Sequence, residues 1–181
     1  MTNAPAAWVS IDVGAKGGAR TPVSACASGA EAISQAADMI RAGAADVVIA
    51  GGVDSCINGL IISGFAQIRA LSTRNGDPQS ASRPFDRDRD GFVLAEGAAI
   101  LVLEREDHAR ARGAEILGVV AGSAVTSDAV DIVAADPAMQ RRVMEKAIAD
   151  AGLRPQDIGL VHAHATSTPV GDRLEAEAIK A

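Results

Sequence analysis

The 181-residue sequence has no tyrosine, one tryptophan and three phenylalanines. Large side chains bury the most area per residue, so this chain cannot rest on a bulky aromatic core. Cysteine is scarce too. Cys26 and Cys56 cannot build a disulfide framework, and two thiols are ordinary in a reducing compartment. No lysine/arginine run occurs, the net charge is −6 and the pI is about 5.0, which argues against nucleic acid as a partner. The longest strongly apolar stretch, Phe92 to Leu103, has 12 residues and contains Glu96, too short to span a bilayer. Residues 1–25 show no apolar segment behind a basic start, so no signal peptide is expected. A soluble cytoplasmic protein is the expectation.

What the sequence has is alanine: 38 residues of it, within a hydrophobic share of 48%. Alanine buries little area, so such a fold needs close backbone packing of helices on a sheet. The pattern along the chain agrees. Thr21–Cys26 reads as a short extended run. A helix follows, with Ala30, Ile33, Ala37 and Ile40 at helical spacing and Gly43 at its end. Asp46–Gly52 reads as a buried strand. This strand–helix–strand unit predicts an α/β sheet. Residues 54–75 read as a helical excursion and 74–91 as loop. Further strands are expected at Phe92–Glu104, Ile116–Thr126 and Ile158–His164. Helices are expected at Glu106–Arg112, Ala138–Ala151 and from Gly171 onward.

Three groups of residues could carry chemistry. Cys26 follows an extended run and sits at a helix start, where free N–H groups and the dipole favour a thiolate. Its neighbours Ala25, Ala27, Ser28 and Gly29 are small enough to admit another molecule. A nucleophile for acyl transfer and a small buried residue both fit. Cys56 lacks this setting and reads as structural. His162 and His164 share one face of an expected strand. They could be metal ligands, a general acid/base at a strand's carboxyl end, or buried histidines with satisfied hydrogen bonds. Asp86-Arg87-Asp88-Arg89-Asp90-Gly91 nearly matches a calcium loop. Position 12 is Gly97 rather than Glu, Glu96 is one short, and two arginines oppose a cation. An internally salt-bridged turn is the better fit.

Ser24-Ala25-Cys26-Ala27-Ser28-Gly29 resembles the nucleophile motif of the β-ketoacyl-acyl carrier protein synthases, the condensing enzymes of fatty acid and polyketide synthesis. Ala50-Gly51-Gly52, Phe65 through Ala70-Leu71-Ser72, Arg83-Pro84-Phe85-Asp86, Arg89-Asp90-Gly91-Phe92 and His164-Ala165-Thr166-Ser167-Thr168-Pro169-Val170-Gly171-Asp172 follow in the family's order. His164 lies 138 positions after Cys26, again as in the family. The Ser-Ala-Cys-Ala-Ser-Gly-Ala-Glu-Ala version and Ala165 are similar to actinobacterial long-chain synthases, including those that extend mycolic acid precursors.

The resemblance implies a thiolase-like fold, layered α-β-α-β-α from two duplicated halves and usually homodimeric. It implies that Cys26 takes the acyl chain from acyl carrier protein as a thioester. His164 would donate a hydrogen bond to the malonyl thioester carbonyl during decarboxylation. Thr166 and Thr168 would hold the phosphopantetheine arm, and Phe65 would line the acyl pocket. No dissociable cofactor and no metal are implied. Residues 1–8 stand outside the resemblance. Residues 9–105 would be the C-terminal part of the first half, and 106–181 the start of the second.

The family's second catalytic histidine, its active-site lysine and its glycine-rich loop would fall beyond Ala181. A central fragment, truncated at both ends and inactive in condensation by itself, is therefore expected. His162 stands where the family commonly has Asn, which alters the surroundings of an alkali-cation site, and Ala165 stands where Gly is commoner. The alternatives are a non-catalytic or mispredicted fragment of such an enzyme, or a different thiolase-superfamily acyltransferase. A thiolase would carry a second cysteine late in the chain, and a ketoacyl synthase of type III would pair histidine with asparagine. The His164–Asp172 segment favours the elongating type. Limited iodoacetamide treatment is expected to label Cys26 before Cys56 by mass spectrometry; equal labelling would remove the nucleophile assignment.

Overall fold

The computed structural model describes residues 1–181. In chain order its elements are α1 (Ala4–Asp12), α2 (Ser28–Arg41), β1 (Val47–Asp54), α3 (Gly59–Gln67), β2 (Gly97–Glu104), α4 (Glu106–Ala111), α5 (Pro137–Asp150) and α6 (Pro169–Lys180). Short 3₁₀ turns lie at Ala25–Ala27, Pro78–Ser80 and Pro155–Asp157. Contacts divide the chain into two units: Met1–Ser55 with Glu96–Val120, and Cys56–Ala95 with Ala121–Ala181.

In the first unit, β1 pairs antiparallel with β2, from Val47 opposite Glu104 to Asp54 opposite Gly97. α2 packs against β1. Their backbones meet at Gly29 and Gly52: a Cβ on Gly52 would stand 3.1 Å from the Gly29 Cα. Behind this contact the buried side chains are Ala36 and Ala37 of α2 and Ala50 of β1. α2 ends in a Schellman closure. Gly43 is left-handed (φ 69°), its N–H bonds the Ile40 carbonyl at 3.0 Å, and the Ala44 N–H reaches the Met39 carbonyl at 2.9 Å. The alanine-based packing expected from composition is present. Large apolar side chains are instead exposed on β2 (Ile100, Leu101, Val102) and on β1 (Val47, Val53).

Several expected elements differ. Helix α1 is unforeseen; its alanines favour a helix, and Pro5 falls in the first turn, where no N–H is needed. The expected strands at 21–26, 116–126 and 158–164 join no ladder, and the Phe92–Glu104 strand starts only at Gly97. Phe92 itself makes an isolated parallel bridge to Leu71. Apolar content marks a segment that suits a sheet. A strand exists only where a neighbour exchanges N–H and C=O bonds with it. The partner of β1 is accordingly β2, not the run before α2.

In the second unit α3 and α5 start at capping side chains. The Asn58 side chain accepts the Ile61 N–H at 3.1 Å ahead of α3, and Asp136 accepts the Ala138 N–H at 2.9 Å ahead of α5. α5 and α6 are in contact. Segment 122–123 crosses close to the end of α5, where a Cβ on Gly122 would stand 2.4 Å from the Ala151 nitrogen.

The end of β2 carries a charge cluster. The Glu104 carboxylate is largely buried and accepts both Nε (2.8 Å) and Nη2 (2.6 Å) of Arg112, and it also pairs with His108 Nδ1. The Arg112 bonds, then the His108 bond, hold its carboxyl down to about 2, from an ordinary 4.5. A depressed acid stabilises the fold above its unfolded value and stops doing so as pH falls through its folded value. Stability of the first unit is therefore expected to fall between pH 4.5 and about 2. In urea titrations across that window Glu104→Gln should flatten the acid limb; an unchanged limb would count against the cluster.

Candidate functional site

Cys26 lies in the first unit and is exposed, inside the 3₁₀ turn that leads into the 14-residue helix α2. The preceding residue, Ala25, is left-handed at φ 50°, a conformation that costs a residue with a Cβ about 1–2 kcal/mol. Two backbone bonds close the turn, Ala27 N–H to the Ser24 carbonyl (3.1 Å) and Ser28 N–H to the Ala25 carbonyl, and the Ser28 side chain adds two more. The Ser24 N–H donates to Ser28 Oγ (2.9 Å), and that hydroxyl donates to the Ala25 carbonyl (2.7 Å). The exposed thiol is thus presented just ahead of the first turn of α2.

The other expected site residues lie in the second unit. His164 is exposed, and its backbone is fixed from α6. The Glu175 carboxylate of α6 accepts the His164 N–H (2.6 Å) on one oxygen and the Ala165 N–H (2.8 Å) on the other. Ala165 and Ser167 are both left-handed, at φ 48° and 69°. The side chains of Thr166 and Thr168 meet at 3.0 Å, Oγ1 to Oγ1. His162 is exposed, and no group of three or more His, Cys, Asp or Glu side chains is placed to hold a metal ion. Phe65 of α3 stacks edge-on against Phe92, with centroids 5.1 Å apart.

The 83–91 loop secures this segment. Ser167 is fully buried; its hydroxyl accepts the Arg83 N–H (3.0 Å) and its carbonyl the Gly91 N–H (3.0 Å). Arg89 donates to the carbonyls of Thr168 (3.0 Å) and Pro169 (2.6 Å) and lies 3.5 Å from Asp172 Oδ2. Asp172 is 1% exposed and also accepts the Phe85 N–H at 2.8 Å. Asp90 turns the other way. It accepts the Ser72 hydroxyl (2.6 Å) and the Thr73 N–H (3.1 Å), and these bonds, in that order, lower its carboxyl pKa.

The turn expected to be internally salt-bridged is thus only partly so. Arg87 pairs with Asp88, and Arg83 reaches Asp86 at 3.9 Å. Arg89 donates to the Asp86 carbonyl within the turn (2.8 Å), but the rest of its guanidinium, like Asp90, is spent on neighbouring segments. Sequence reasoning assigned no role to Glu175, Asp172 or Ser167. A signal was available for the acids: Asp172, Glu175 and Ala178 recur at a spacing of three on α6, and an acid on a packed helix face needs donors.

The sequence model of the Beta-ketoacyl synthase, N-terminal domain matches residues 1–109, and that of the Beta-ketoacyl synthase, C-terminal domain matches 117–181. The chain is 53% identical to a 3-oxoacyl-[acyl-carrier-protein] synthase 2 of Mycobacterium tuberculosis (strain ATCC 25618 / H37Rv) over 99% of its own length and 44% of that protein's. It is 45% identical, with the same coverage, to the protein of that name in Synechocystis sp. (strain ATCC 27184 / PCC 6803 / Kazusa). Among solved structures it is similar to AntDE:AntF, a type II PKS acyl-carrier protein in complex with its ketosynthase bound to the hexaketide. There the TM-score is 0.94 at 35% identity, over 98% of this chain and 44% of that one. A Beta-ketoacyl synthase from Burkholderia phymatum STM815 gives a TM-score of 0.83 at 42% identity, over 86% and 38%. The chain spans less than half the length of these proteins, and over that span its mixed α/β fold is the thiolase-like fold of ketosynthases.

Asp172→Ala is expected to destabilise the second unit by roughly 1–3 kcal/mol, because the Phe85 N–H loses its acceptor and the Arg89 guanidinium its counter-charge. Urea denaturation followed by circular dichroism measures it; a loss within about 0.5 kcal/mol, the range of an ordinary surface change, would show that the pair does not hold the loop.

Proposed function

The chain belongs to the Beta-ketoacyl synthase family, and from that premise we propose that it serves decarboxylative condensation in fatty acid elongation. The carrying observation is that Cys26 falls within the stretch matching the family's N-terminal domain and His164 within that matching its C-terminal domain. The name 3-oxoacyl-[acyl-carrier-protein] synthase 2, borne by the relatives, supports the same chemistry.

In this proposal the Cys26 thiolate attacks the thioester carbonyl of an acyl-acyl carrier protein. The phosphopantetheine thiol leaves, and the acyl chain stays on Cys26. A malonyl thioester then loses carbon dioxide. The electron pair of the broken C–C bond moves into an enolate, whose oxygen accepts a hydrogen bond from the His164 ring. A donor aimed at developing charge accelerates such a step by about 10²–10³. The enolate carbon attacks the acyl-Cys26 carbonyl, and the thiolate is released with the 3-oxoacyl thioester. Thr166 and Thr168 present paired hydroxyls to the polar pantetheine arm. Phe65, stacked on Phe92, offers an apolar wall to the acyl chain. The partner is acyl carrier protein, the assembly a homodimer and the compartment the cytoplasm. Neither a cofactor nor a metal takes part. No helix is long and apolar enough to cross a membrane.

Incubation with a medium-chain acyl-acyl carrier protein should add the acyl mass to Cys26 and release the carrier's free thiol, with no mass gain in Cys26→Ala. Absence of acylation at Cys26 in folded protein would overturn the assignment.

A further inference from the structure

The bend before Cys26 has one side chain that closes it. Ser28 stands at the first position of α2, yet its hydroxyl points backward across the turn. It accepts from the Ser24 N–H and donates to the Ala25 carbonyl, so it brackets the left-handed Ala25 from both sides. A left-handed alanine persists only where its surroundings hold it. On the other flank the helix cannot shift toward the sheet, because Gly29 already touches the Gly52 backbone. The Ser28 hydroxyl and the Gly29 contact therefore fix the two ends of the segment that carries Cys26.

We propose that Ser28 is a positioning residue for Cys26: its hydroxyl holds the Ala25 bend that keeps the sulfur at the α2 N-terminus. This rests on Cys26 being the nucleophile. Without the hydroxyl, the Ser24 N–H loses its partner and the Ala25 carbonyl keeps only the Ser28 N–H, so the left-handed Ala25 is held by the backbone bonds of the turn alone and the sulfur is displaced from its place ahead of α2. Threonine keeps the hydroxyl in reach. Glycine at position 25 removes the need for it, because glycine takes a positive φ without steric cost.

The test is the iodoacetamide alkylation rate of each cysteine at fixed pH, read by mass spectrometry, with helical circular dichroism recorded in parallel. Ser28→Ala should slow Cys26 about fivefold, the rate equivalent of one ordinary hydrogen bond, and leave Cys56 unchanged. Ser28→Thr should match the wild type, and Ala25→Gly added to Ser28→Ala should recover most of the rate. An unchanged Cys26 rate in Ser28→Ala, or a slow one in Ser28→Thr, overturns the proposal. So does loss of helical signal in Ser28→Ala with equal labelling of both cysteines, which would make Ser28 a residue of global folding. If wild-type Cys26 shows no preference over Cys56, it is the nucleophile assignment that fails.

Discussion

Much of the second unit depends on the contact between the Asp172 carboxylate and the Arg83–Gly91 loop. A carboxylate at 1% exposure is costly unless donors replace its water. Here Oδ2 accepts the Phe85 N–H at 2.8 Å and faces the Arg89 charge at 3.5 Å, while that guanidinium donates its hydrogen bonds to backbone carbonyls, those of Thr168 and Pro169 among them. Those carbonyls lie at the start of α6, and the Thr168 carbonyl also accepts the Asp172 N–H at 3.3 Å, so Arg89 grips the first turn of the helix itself. Removing the ion pair would uncouple two segments at once, because one arginine serves both the charge and the backbone.

The segment that benefits is the one carrying His164, Thr166 and Thr168. Left-handed residues alternate with it, at Ala165 and Ser167, and neither is a glycine. Two such conformations within three residues survive only by heavy restraint. Glu175 supplies it at the first, through the N–H groups of His164 and Ala165. The buried Ser167, bonded to Arg83 and Gly91, supplies it at the second. The threonine hydroxyls are paired because the backbone between them is held in that alternating form.

Much of this was legible in the sequence, and the rest was hidden for identifiable reasons. α2, α5 and β1 were readable because periodicity and terminal glycines agree locally. The runs at 21–26, 116–126 and 158–164 were readable as apolar but not as unpaired, since pairing is a property of neighbours rather than of the segment. Cys26 and His164 stood out by residue type and setting. The role of Ser28 did not, because it acts on backbone N–H and C=O groups, which leave no mark in a sequence; the spacing of Asp172 and Glu175 on α6 marks a need for donors but not which donors meet it. The near-match to a calcium loop failed on its residues, and its acids are engaged otherwise: Asp90 accepts from Ser72 and Thr73, Asp86 accepts the Asp88 N–H, and Asp88 pairs with Arg87.

The contact between Gly29 and Gly52 carries a mechanical consequence. Most helices sit on a sheet through side chains, so their height above it varies with each rotamer and each substitution. Here main chain rests on main chain, 3.1 Å from where a Cβ on Gly52 would stand to the Gly29 Cα. The nearest turn of α2 therefore has no cushion, and its height is set by the van der Waals radii of backbone atoms rather than by side-chain packing. That makes the contact a hard stop close to Cys26. Repacking elsewhere in the alanine interior can alter how tightly the helix is held, while the height of its first turn stays fixed as long as both residues lack a side chain.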